Sequence, residues 1–133
     1  MSEHAAVLFA NDAFYLAFQN RDLGAMDAIW AEATPVTCIH PGWAPIEGRD
    51  EVMASWEAIL TAPTASDIAC ENATVRVFGE FACVLCHEVL EQGFLVATNL
   101  FAREGGRWRI IHHQAGTAPP PPETDEEPSD TMQ

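Results

Sequence analysis

The chain has 133 residues, 48% hydrophobic and 20% charged, a composition that supports a packed core rather than disorder. Its formal charge at pH 7 is −14 and every basic residue is arginine, so its field repels phosphate backbones and argues against a nucleic-acid partner. The length suits one domain. No apolar run reaches the roughly 18 residues of a membrane span, and Met1-Ser2-Glu3-His4 does not open a signal peptide, so a cytoplasmic chain without a membrane partner is expected.

Val7, Ala10, Phe14, Ala17 and Phe18 recur at helical spacing and predict a helix from about Glu3 to Asn20. Asp22 suits an N-cap, and Leu23, Met26, Ile29, Trp30 and Ala33 predict a second amphipathic helix stopped by Pro35. A short strand over Val36 to His40 then meets Pro41-Gly42. Gly48 precedes a third helix with Asp50 and Glu51 in its first turn and Val52, Trp56, Ile59 and Leu60 on its buried face.

From Ile68 the period becomes two. Cys70 to Phe78 and Phe81 to Leu90 flank Gly79-Glu80, while Phe94 to Arg103 and Arg107 to Gln114 flank Glu104-Gly105-Gly106, which predicts two successive hairpins. Three helices followed by a curved antiparallel sheet define an α+β fold with the helices on one sheet face, residues 1–118 forming the domain. Residues 119–133, with four consecutive prolines and then an acidic run, are expected to form an extended, disordered tail.

A two-residue turn at Gly105-Gly106 would set Arg103 opposite Trp108, Phe101 opposite Ile110, Asn99 opposite His112 and Ala97 opposite Gln114, all on one face. That face combines an aromatic wall with amide and imidazole groups, as a ligand cavity does; the same groups could equally satisfy one another in a core. Thr98, Leu100, Ile111 and His113 would lie on the other face, available to a second copy. His40 could reach the cavity from the first strand as a proton carrier oriented by Glu88, Glu71 or Asp50, with Trp43 over the opening. In the first hairpin the Gly79-Glu80 turn would set Glu71 opposite Glu88 and raise the pKa of one of them.

Cys83 and Cys86 have metal-motif spacing, but strand residues three apart face opposite sides, so free thiols are expected of these and of Cys38 and Cys70. Adjacent His112 and His113 likewise cannot share a face, and no metal or other cofactor is expected.

The element order, the Asn20-Arg21-Asp22-Leu23 link, Thr37-Cys38-Ile39-His40-Pro41-Gly42-Trp43, Gly48-Arg49-Asp50-Glu51-Val52 and Gly106-Arg107-Trp108-Arg109-Ile110-Ile111-His112-His113 together resemble the SnoaL-like branch of the nuclear transport factor 2-like superfamily. The second half is also similar to the association domain of calcium/calmodulin-dependent protein kinase II, differing in its His112-His113-Gln114 order and in Asn99 where that domain carries arginine. The resemblance implies a cone-shaped (cystatin-like) α+β barrel that usually pairs through its sheet as a homodimer and holds a small organic molecule. The expected site comprises His40, Trp43, Trp56, Asn99, Phe101, Trp108, His112 and Gln114, with His40 the catalytic candidate. Three functions follow from it: small-molecule binding, acid/base catalysis on a small carbonyl compound as in an isomerase, cyclase or dehydratase, or non-catalytic assembly.

Overall fold

The computed structural model describes residues 2–64 and 66–122. Three helices, α1 (Glu3–Gln19), α2 (Leu23–Ile29) and α3 (Arg49–Leu60), cover one face of a six-stranded sheet in an α+β arrangement. The strands are β1 (Thr37–Ile39), β2 (Ile46–Glu47), β3 (Ala69–Phe78), β4 (Phe81–Leu90), β5 (Gly93–Glu104) and β6 (Arg107–Ala118), in spatial order β2-β1-β6-β5-β4-β3. Residues 123–133 of the expected tail lie outside the described residues.

The helix signals act locally. Ser2 caps α1 by accepting from the Ala5 N–H, and Asp22 caps α2 by accepting from the Ala25 N–H at 3.0 Å. The second helix ends four residues earlier than its apolar pattern suggests. Trp30 leaves in an extended conformation, bridges to Ile110, and is followed by the Ala31 N–H bonding the Ile110 carbonyl. Arg49 then caps the end of α2 by donating to the carbonyls of Asp27, Trp30 and Ala31, which ties the start of α3 to that corner.

The Gly79-Glu80 and Gly105-Gly106 turns form as predicted, the second with φ of 57° and 79°, the left-handed region glycine enters at no steric cost. The four long strands pair antiparallel as expected, and the sheet is extended by β1, which runs parallel to β6, and by β2 at Ile46–Glu47 beside it.

Two β-bulges revise the expected faces. In the second hairpin, Phe101 pairs with Ile110 but Leu100 with His112, so Ile111 is an extra residue and everything beyond it changes side. Asn99 therefore faces His113, not His112, and Ala97 faces Ala115, not Gln114. His113 is buried under the helices, Gln114 is exposed, and His112 lies on the open face with its Nδ1 2.6 Å from the Thr37 hydroxyl. In the first hairpin a bulge between Glu71 and Thr74, with Asn72 at φ 59°, puts Cys70 rather than Glu71 opposite Glu88. Glu71 is exposed, so the two glutamates do not meet.

Val7, Phe14, Met26, Trp30, Val52, Trp56, Phe101 and Ile110 form the core between helices and sheet. All four cysteines are free, and Cys83 and Cys86 face opposite sides of β4.

Candidate functional site

Two turns of α1 supply Asn11, Phe14, Tyr15 and Phe18, residues close enough in helical angle to point together at the sheet. All four are buried, two of them with polar ends, so their partners decide whether the face is stable. The partners come from the strands. Asn99 on β5 donates through Nδ2 to Asn11 Oδ1 at 2.9 Å and to the Tyr15 hydroxyl oxygen at 3.2 Å. Tyr15 in turn donates to Glu88 Oε2 at 2.6 Å. With its amino group committed, Asn99 has only Oδ1 left for His113 Nδ1 at 2.6 Å, which makes that nitrogen the protonated one and leaves Nε2 as an acceptor.

His113 Nε2 lies 3.9 Å from Glu88 Oε2. The two do not form an ion pair at neutral pH. Burial, with smaller contributions from His40 and His112, pushes His113 down to about 3, while burial pushes Glu88 up to about 7 against the opposing Tyr15 hydrogen bond. The result is a carboxyl that exchanges its proton near neutrality beside a neutral imidazole with a free lone pair.

A cavity of about 210 Å³ opens against this pair. Phe14, Phe18, Trp43 and Trp56 form its aromatic wall, Ile59, Ile68 and Leu95 add aliphatic surface, and Tyr15, Glu88, His40 and His113 supply the polar atoms. The rings stand edge to face: Trp56 is 5.4 Å from Phe14, 5.9 Å from Phe18 and 4.7 Å from His40 at interplanar angles above 80°. Trp43 stands at the rim, 47% exposed. A broader depression of about 960 Å³ adjoins at Ile68, but none of its walls is a buried residue.

His40 is placed at the cavity by the strand-to-turn junction at Pro41, and Ser55 fixes its state. Since the Ser55 hydroxyl donates to the Val52 carbonyl, its oxygen accepts from His40 Nε2 at 2.9 Å. Burial holds His40 down to about 4 and pushes the neighbouring Cys38 thiol up to about 12, so this Cys–His contact supplies no thiolate.

Of the expected site residues, His40, Trp43 and Trp56 line the cavity, and Asn99 stands behind it as the hub of the network. Phe101 is buried in the core, Trp108 bonds Glu3 away from the cavity, and His112 and Gln114 are on the other face. Tyr15, Glu88 and His113 complete the polar end. The signal that could have found them is a buried helix face holding both Asn11 and Tyr15, which needs polar partners from the sheet. Among the described residues no three His, Cys, Asp or Glu side chains are placed to hold a metal ion, and no helix is long and apolar enough to cross a membrane.

Residues 7–119 match the SnoaL-like domain, and the chain belongs to that family. The similar solved structures have the nuclear transport factor 2-like, or cystatin-like, fold. A putative dehydratase of the NTF2-like family from Streptomyces avermitilis is 30% identical, with 87% of this chain and 96% of that one covered and a TM-score of 0.80. A putative calcium/calmodulin-dependent protein kinase type II association domain from Thiobacillus denitrificans is 32% identical over 82% of this chain and 92% of the other, with a TM-score of 0.74. The F-box protein SKIP8 of Arabidopsis thaliana is 28% identical over 112 residues, and the chain spans about half of its length, 48%.

Proposed function

We propose that the cavity binds a small, uncharged, mostly apolar molecule carrying a carbonyl or hydroxyl group. The observation that carries this reading is an aromatic cavity closing on one acid, Glu88, with no arginine on its walls. A carboxylate ligand would meet a like charge there without a compensating cation.

The proton chemistry supports a second reading, acid/base catalysis. Near neutrality the Glu88 carboxylate could take a proton from the carbon beside a bound carbonyl and return it to the product, so Glu88 takes the acid/base role in place of the His40 suggested by sequence. The dehydratase description of the Streptomyces relative is compatible with such a step.

Thermal-shift screening with small aromatic ketones and phenols tests binding. Glu88→Gln is expected to weaken the hits about tenfold, one polar contact's worth, while His112→Ala leaves them unchanged. Equal loss in the His112 variant would refute the placement. Hydrogen–deuterium exchange at the carbon beside the carbonyl, followed by NMR, separates catalysis from binding: exchange should be fast with wild type and absent with Glu88→Gln.

The open sheet face supports self-association. Phe78, Phe81, Leu85 and Val96 are between 43% and 57% exposed there, beside half-buried Thr98, Leu100 and Ile111. His113, expected on that face, is absent from it. A homodimer through this surface should sediment as such at micromolar concentration, and Leu85→Glu should return it to monomer; a wild-type monomer would dispose of the idea.

A further inference from the structure

The β3 bulge has a second effect, independent of what the cavity binds. By turning Cys70 to the helix-covered face, opposite Glu88, it brings that thiol to the side of the sheet on which Cys86 lies, diagonally across on the neighbouring strand. Asn11 Nδ2 donates to Cys70 Sγ at 3.6 Å, and the Tyr15 hydroxyl lies 3.3 Å from Cys86 Sγ. We propose that Cys70 and Cys86 are a peroxide-sensitive dithiol that closes to a reversible intramolecular disulfide.

Access and reactivity divide the roles. Cys70 sits half-buried on the edge strand, where a small peroxide reaches it, whereas Cys86 is 1% exposed. The neighbouring Cys86 thiol and the Asn11 hydrogen bond lower the Cys70 pKa against burial, while Cys86 is raised. The remaining cysteines lack this combination. Burial pushes Cys38 up to about 12 and also raises Cys83, which faces the open side of the sheet without a second thiol against it.

In the first step the Cys70 thiolate attacks one peroxide oxygen, the O–O bond breaks, and Cys70 sulfenic acid and hydroxide form; the hydroxide takes a proton to become water. In the second, Cys86 sulfur attacks Cys70 sulfur, the S–O bond breaks, and the departing hydroxide leaves as water with the Cys86 proton. The two thiols together lose two electrons and the peroxide gains them. An external thiol reverses the reaction by exchange. Because Cys86 touches the hydroxyl that binds Glu88, closure would carry an oxidative signal to the polar end of the cavity.

The test is to treat the reduced full chain with a small excess of hydrogen peroxide, alkylate the remaining thiols, and map the product by mass spectrometry before and after dithiothreitol. A mass loss of two hydrogens, one peptide pair joining Cys70 to Cys86, and full reversal are expected. Cys83→Ser should react as wild type does, Cys86→Ser should stop at sulfenic acid on Cys70, and Cys70→Ser should not form the link. Predominant oxidation of Cys83, a link between two chains, or progression of wild-type Cys70 to sulfinic acid without a link would each overturn the proposal.

Discussion

Glu88→Gln is expected to make the protein more stable than wild type at pH 8, by about 3 kcal/mol, and to leave it nearly unchanged at pH 5. The cause is the displacement of the Glu88 carboxyl from an ordinary 4.5 to about 7 by burial. Between those values the folded chain holds a proton that the unfolded chain has released. The stability Glu88 contributes is therefore fully present below the lower value, declines as pH rises, and is lost above the upper one. His40 and His113 act with the opposite sign. Held down to about 4 and about 3, they stay neutral when folded but charge when unfolded, so their contribution is lost as pH falls below 6.5. Both histidines remain in the variant, and the difference between the two stability curves isolates Glu88. Urea unfolding from about pH 5 to 8 measures it; parallel curves would mean that Glu88 is ionised throughout and that the proton-transfer reading fails with it.

Asn99→Ala is expected to cost about 3 kcal/mol, because one substitution removes the acceptor of His113 Nδ1 and the donor to both Asn11 and Tyr15. Asn99 is fully buried, so these groups have no nearby solvent surface to turn to. His112→Ala provides the contrast. Its bond to Thr37 is partly exposed, and the loss should stay below about 1 kcal/mol. Had the hairpin kept its simple register, the two costs would have been linked through a single His112–Asn99 pair. Chemical denaturation of both variants decides between the registers without reference to any ligand.

Sequence periodicity by itself determined the order of the three helices and of every strand except β2, the helix faces and both tight turns. These depend on local physics: the 3.6-residue spacing of Val7, Phe14 and Phe18, the Asp22 cap, and the positive φ that Gly105 and Gly106 accept. They also placed His40 and Trp43 at the strand-to-helix junction and Trp56 on the buried face of α3, all three of which border the cavity. The faces of β3 and β6 were different. Ile110-Ile111-His112-His113 offers two apolar residues and then two alike polar ones, so an inserted residue leaves the alternation no worse, and the pattern carries no sign of which histidine turns inward.

Only tertiary structure decided that. β1 and the Trp30–Ile110 bridge grip β6 from its other side, Thr37 receives His112, and Asn99 offers Oδ1 to His113. On β3 the same question is resolved by Asn72, a residue that tolerates the left-handed conformation, so that Cys70 enters where Glu71 would have brought a second carboxylate against Glu88. The physical reason is one of range. A helix period or a glycine turn is set by neighbours along the chain, whereas a bulge is stable only if the side chains it turns inward find their partners across the core.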